Sequence, residues 1–324
     1  MLTNDNLQLL AAELAEVDRM MAELSAGAIT SRRTLQNRQK VLQHRLVSLA
    51  EQPETAAFVQ LLFSGGPVLD SRAIDAAFAA EALLGYQEII TLATATNQGI
   101  LGSRGVVAGA VSEKSRFFLT GVTRGSFGFT LEENIEKGAS FIDSTLKAVV
   151  DDVSSKMSSF CDATDDEYDT FIQEIDKRLF FSFKSFFKLL HDSAAQMKII
   201  GRREGRRFSA ASIDRAFVRT ETTQVDDEER RVTGVLTGLA DGMFNFLSAN
   251  QTPFSGKLAP TFGLEYRNQA ESTEFTYQLG KRYSAQIIRR TTKRGGVAPH
   301  IVFFLVGLLT ADNPENPDSA WRKI

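Results

Sequence analysis

Cysteine is almost missing from this chain: Cys161 is the single one in 324 residues. That excludes an internal disulfide framework and a cysteine-built zinc site, and it fits a reducing compartment. Histidine occurs three times, as His44, His191 and His300, and no two have the His-x-x-x-His spacing of a zinc site. No Gly-x-x-x-x-Gly-Lys-Ser/Thr phosphate loop and no Gly-x-Ser-x-Gly nucleophile elbow occurs. The longest apolar run, near residues 301–309, is far short of the ~20 residues a membrane helix needs and reads as a buried strand. The opening MLTNDNLQLLAAEL has no basic region and no continuous apolar stretch, so a signal peptide is not expected. Net charge is −3, so no global field favours nucleic acid or an acidic membrane, and any such binding must come from local patches. The expectation is a cytoplasmic chain with no membrane partner, no metal and no cofactor.

What is present is apolar material, rich in one aromatic. Hydrophobic residues make up 43% of the chain, enough for real cores, and 24 phenylalanines stand against five tyrosines and one tryptophan. Phe offers area without a hydrogen bond, so most of these rings belong inside. The clearest pattern is Leu7, Leu10, Leu14, Val17, Met21 and Leu24, spaced 3, 4, 3, 4, 3. That is an a/d seam, which keeps one stripe facing a partner helix. A short connection leads to a second helix over about 31–51 with Leu35, Leu42, Leu46 and Leu49, ended by Pro53. Arg38 and Gln39 fall where an apolar residue is expected. The pair should fold back as an antiparallel helical hairpin. A pair of this length is marginal alone, so it is expected to pack on the body, on another copy or on a different protein.

The expected fold class is α+β in three parts: the coiled-coil hairpin (1–53), a central α/β domain with long helices (54–205) and a β-rich C-terminal domain (206–311), with a mobile tail (312–324). In the centre, an apolar run over 58–63 precedes a helix capped by Asp70 or Ser71. Two strands follow over 115–122 and 126–132, and helices over 134–200. The Thr164–Glu167 pair forms a capping box, and the last helix runs to Gly201. The acidic stretch 226–229 reads as a solvated hinge. Beyond it, three strands, a helical stretch and two strands follow one another, the order of a five-stranded OB-like barrel.

Chemistry is sparse. Gly121, Gly125 and Gly128 with Arg124 can cradle an anion, but a hairpin turn is the stronger reading. Cys161 has no neighbouring histidine and reads as structural. His191-Asp192 reads as a surface or capping pair. The carboxylates Asp151, Asp152, Asp162, Asp165 and Asp166 sit at helix ends, where acids satisfy orphan amides. No catalytic residue is assigned. Two basic clusters are the nucleic-acid candidates: Arg202, Arg203, Arg206 and Arg207 on a glycine-containing turn, and Lys281, Arg282, Arg289, Arg290, Lys293 and Arg294 along the fourth barrel strand. The competing reading is that these arginines balance a helix end and the acidic stretch 226–229.

Two stretches, FSGGPVLDSR (63–72) and TGVTRGSFGFTLEE (120–133), resemble segments of uncharacterised bacterial proteins; no characterised family is matched. The resemblance implies a bacterial source and is compatible with a multiprotein system such as anti-phage defence. The expected function is a non-enzymatic assembly subunit, associating with itself or another protein through Leu7, Leu10, Leu14, Val17, Met21 and Leu24. A nucleic-acid binder is the first alternative, and an enzyme with an unfamiliar site the second.

Overall fold

The computed structural model describes residues 13–14, 16–21, 29–51, 56–69, 72–98, 107, 109–123, 127–133, 144–201, 205–262, 277–310 and 322–323. They form an α+β protein of mixed helices and sheets. Near the N-terminus, helical residues 13–14 and 16–21 lie beside α1 (Ile29–Glu51). Arg38 donates to Glu13 at 2.6 Å and Gln39 to Asp18 at 2.7 Å. Val17 and Leu42 are buried; Leu14, Met21, Leu35 and Gln39 are half-buried; the rest of α1 over 31–43 is exposed. Burial thus follows the expected 14–17–21 spacing, and the polar Gln39 at a seam position is satisfied by Asp18. Leu7, Leu10 and Leu24 lie outside the described residues.

The first body is a five-stranded, wholly antiparallel sheet with helices on one face. Its strands are β1 (Phe58–Gly65), β4 (Phe117–Thr123), β5 (Phe127–Glu133), β6 (Ala195–Gly201) and β7 (Gly205–Phe208), in the order β4-β5-β1-β6-β7. A small ladder, β2 (Val68–Leu69) with β3 (Ala73–Ile74), follows β1. Alternate residues, Val59, Leu61 and Phe63 on β1 and Ala195, Met197 and Ile199 on β6, point into one core. Over that face lie α2 (Ala76–Asn97), α4 (Thr145–Asp162), α6 (Lys177–Asp192) and α7 (Ala210–Thr222); α3 (Gly109–Lys114) and α5 (Asp165–Glu174) complete the set. Gly65, at φ +91, turns the chain where a Cβ would lie 2.4 Å from the Ala194 carbonyl oxygen.

The second body is a ring of strands: β8 (Thr223–Ala240), β9 (Met243–Ser248), β10 (Pro253–Leu258), β11 (Arg282–Arg294) and β12 (His300–Thr310). The order is β11-β12-β10-β9-β8, and β11 pairs with β8 to close it. All pairings are antiparallel except β10 with β12. Gly256 makes that parallel contact possible, since a Cβ there would lie 2.1 Å from the Phe303 carbonyl oxygen. Val232, Leu236, Phe244, Phe246, Phe254, Ala285, Ile287 and Leu305 fill the interior. β8 has 18 residues, roughly 60 Å at ~3.4 Å each, and it joins the two bodies. Its Val225 belongs to the first core and its Val232 to the second.

Four expectations change. The α2 cap is Asp75, whose carboxylate accepts from Phe78 N, rather than Asp70 or Ser71. The helix expected to run to Gly201 is two helices and a strand. Ile175 is extended, Asp176 caps α6 by accepting from the amides of Arg178 and Leu179, and residues 195–201 alternate inside and out as β6. The acidic stretch 226–229 is no hinge but part of β8, paired to β11. Phe208, Ile213 and Ala216 join the first core, so β7 and α7 sit with the first body and not with the 206–311 unit. At the expected tail, Arg322–Lys323 forms β13, paired with Glu228 and Glu229 of β8. The Thr164–Glu167 capping box is present as read.

Candidate functional site

Half of the second basic cluster, Arg289, Arg290 and Arg294, lies on the joint between the two bodies. The β8–β11 register sets Arg290 opposite Asp227 and Arg289 opposite Glu228. Arg290 Nε and Nη2 bind the two Asp227 oxygens at 2.8 Å each, and Nη1 donates to the Ile175 carbonyl at the end of α5. The guanidinium carbon lies 5.1 Å from the Phe304 ring centroid. The two side chains are only 8% and 9% exposed, so this is a buried bidentate pair. Asp176 lies in the same pocket of charge. Burial pushes its carboxyl up, against the α6 amides and Arg290, which act the other way.

One turn further along β11, Arg294 donates to Asp169 at 2.9 Å and lies 3.2 Å from Asp165. Arg219 of α7 reaches the same Asp165 at 2.9 Å and the Ala163 carbonyl at 2.8 Å. Hydrogen bonds from Arg219 first, and then from Arg294, hold the Asp165 carboxyl below its usual range. The Tyr168 ring takes both guanidinium groups, at 5.1 Å for Arg219 and 5.7 Å for Arg294. Its hydroxyl lies 3.2 Å from Thr223 Oγ1 at the start of β8, and burial pushes the phenol up to about 12. Arg289 pairs with Glu228, Gln286 with Glu229, and Lys257 with Glu174. The arrangement fastens α5 and α7 to β8 and β11. A phosphate could reach Arg290 or Arg294 only by displacing the carboxylates already bound to them, although Arg294 Nε is buried without a partner among the described residues.

The remaining basic candidates are scattered. Lys281 and Arg282 are exposed at one end of β11 and Lys293 at the other, roughly 35 Å apart along an extended strand. Arg206 donates to Ser158 at 2.8 Å, and Arg207 is exposed on edge strand β7. Arg202 and Arg203 lie outside the described residues, as does Arg124 of the glycine-rich stretch.

Catalytic chemistry finds little support. His191 Nδ1 lies 2.9 Å from Asp214, not Asp192, and its ring stacks on Phe217 at 3.9 Å, tying α6 to α7. Cys161 is buried, and burial pushes its thiol well above the ordinary range. Asp152 pairs with Lys156. Among the described residues, no group of three His, Cys, Asp or Glu side chains is placed to hold a metal, and no helix is long and apolar enough to cross a membrane.

Two surface features escaped the sequence reading. Edge strand β4 carries no charge over its seven residues, and Phe118, Leu119 and Val122 are 44%, 52% and 46% exposed. The sequence reads it as one strand of a hairpin, and the sheet order places it at an edge among the described residues. The other is a cavity of about 440 Å³ between α2, α3, β4 and α4. Its walls come from segments up to fifty residues apart, so no motif announces it. No protein-family model, curated protein or solved structure matches this chain.

Proposed function

We propose that this protein is a non-enzymatic assembly subunit. The observation that carries the reading is the contrast between the two edges of the first sheet. β7 is four residues long with two arginines, the guarded edge that monomeric sheets display. β4 is longer, uncharged and apolar, although its register shifts between Leu119 and Gly121. An edge of that composition is a template for another strand. The N-terminal helices supply a second surface. We read them as an antiparallel hairpin with a narrow seam, as the 35–39–42 burial on α1 suggests. Native mass measurement of the full chain tests this. We expect a multimer or a hetero-complex that Leu119→Lys with Val122→Lys dissociates, while Leu14→Asp with Met21→Asp reports separately on the hairpin. A chain that is monomeric at every concentration and copurifies with no partner refutes the proposal.

A second reading rests on the C-terminal ring. Numbering β8–β12 one to five, the closed order is 1-2-3-5-4-1 with strands three and five parallel. We take this as an OB-like barrel, whose usual ligand face is strands two and three with the flanking loops. That face would carry Met243, Asn245, Ser255 and Lys257, and Lys281, Arg282 and Lys293 are exposed at the two ends of β11. Single-stranded oligonucleotides should then bind with a salt slope of about two, as ~0.7 per phosphate contact gives for three cations. Lys281→Glu, Arg282→Glu and Lys293→Glu together should abolish binding. A flat salt response removes this reading.

A further inference from the structure

Beyond assembly, we propose that the cavity between α2, α3, β4 and α4 binds a nucleoside monophosphate. Its volume of about 440 Å³ lies in the range of small-molecule sites and equals the share of roughly 15 waters, far more than an inorganic anion fills. Thr94 and Leu146, both 2% exposed, give it a closed floor, and Phe118 contributes an aromatic wall. Two cations, Lys114 and Arg116, and two carboxylates, Glu113 and Glu133, supply the charge.

The charged groups are held by a built framework. The turn that carries Lys114 and Arg116 is clamped to α2 by one side chain: Gln87 Nε2 donates to the Ser115 carbonyl at 2.8 Å, and Gln87 Oε1 accepts from Phe117 N at 3.0 Å. Ser115 is fully buried, and its hydroxyl lies 3.0 Å from that of Thr91. A buried serine and a half-buried glutamine spent on one turn fix the backbone from which its two cations project. Among the described residues, neither the Lys114 nor the Arg116 side chain has a partner, unlike Arg290, whose Nε, Nη1 and Nη2 are all bonded. Glu133 is fixed from behind: its Oε2 accepts from Ala57 N at 2.8 Å and from Ser144 Oγ at 2.5 Å. Its Oε1 has no partner among the described residues. A fixed acceptor and two cations without partners among the described residues line one space of ligand size, with Glu113 beside them. Inorganic phosphate would use the cations and leave Glu133 unmet; an amino acid would leave most of the volume and the aromatic wall unused. A nucleoside monophosphate offers a dianionic group for Lys114 and Arg116, donors on base or ribose for Glu133, and a flat ring for Phe118.

Isothermal titration of the full chain with AMP, GMP, CMP and UMP tests this, with inorganic phosphate and free amino acids in parallel. We expect one-to-one saturable binding of at least one nucleotide. Inorganic phosphate should bind about tenfold more weakly or not at all, and Arg116→Ala should weaken the nucleotide by about tenfold or more, the scale of a lost charge-assisted contact. Arg116 is exposed, so its variant should unfold at the wild-type denaturant midpoint; Lys114→Ala gives a second reading if it does not. Four outcomes overturn the proposal: no nucleotide saturates, phosphate matches the nucleotides, an amino acid outbinds them, or both cation variants bind as wild type. None depends on the assembly state, so this proposal and the assembly reading fail separately.

Discussion

Replacing Arg290 with alanine is expected to destabilise the protein by about 3–5 kcal/mol, the cost of leaving a buried charge without its partner. Asp227 would remain 6% exposed with its bidentate donor gone, and the Ile175 carbonyl would lose its bond at the end of α5. Asp227→Ala should cost a similar amount, for it strands the guanidinium. The pair itself is worth less than either deletion implies, because both ions were desolvated to form it. Arg290→Met with Asp227→Leu should therefore recover much of the loss. The readout is urea unfolding followed by two probes, the lone tryptophan and far-ultraviolet circular dichroism. Since Arg290 ties β11 to α5, the single variants should also separate the transitions of the two bodies, ending two-state behaviour. A loss below about 1 kcal/mol would show instead that the pair behaves like an exposed one.

Phe160→Ala should be about as damaging, again about 3–5 kcal/mol, through the cavity left in a tightly packed core. The Phe160 ring is fully buried. Its centroid lies 5.0 Å from those of Phe171 and Phe183, 5.4 Å from Phe187 and 6.1 Å from Tyr168. Four aromatic neighbours on α5 and α6 cannot all collapse into the void without leaving their rotamers. The Phe160 carbonyl also accepts from Arg219, so relaxation of α4 would disturb the charged joint. Phe181 is the control. It is adjacent to Phe180 in sequence but 45% exposed, and its replacement by alanine should fall within about 0.5 kcal/mol of wild type. Equal losses at Phe160 and Phe181 would contradict this account of the core.

These two residues also mark how far the sequence could be read. Most of the phenylalanines were expected inside on chemistry alone, and Phe160, Phe180, Phe183, Phe186 and Phe187 are there. The order of the five strands in the C-terminal ring was legible, and the place of all but the first half of β8, because alternation, glycine pairs and a hairpin turn are local features. The capping box at Thr164 was legible for the same reason. β6 was misread, since Ala194 and Met197 continue a helical stripe from α6 as naturally as Ala195, Met197 and Ile199 begin a strand. What chose the strand was a vacancy beside β1, where Leu61 pairs with Ile199 in the centre of the sheet. Tertiary pairing outweighs a local propensity that differs little between the two states.

The arginines make the same division at the candidate site. Residues 281–294 contain six basic side chains, and the sequence offered two uses for them, nucleic acid or the acids at 226–229. Both readings rest on the same composition. The β8–β11 register decided between them for Arg289 and Arg290 by setting them opposite Glu228 and Asp227. The fold of α5 decided for Arg294 by bringing Asp165 and Asp169 across from a segment more than a hundred residues away. The sequence by itself determined where apolar stripes, caps and strands lie, because each is written within one or two turns of chain. Which charges are spent inside, which strand lies at a sheet edge among the described residues and which polar groups meet around a cavity were decided by the tertiary structure, because each depends on partners that only folding brings within a few ångströms.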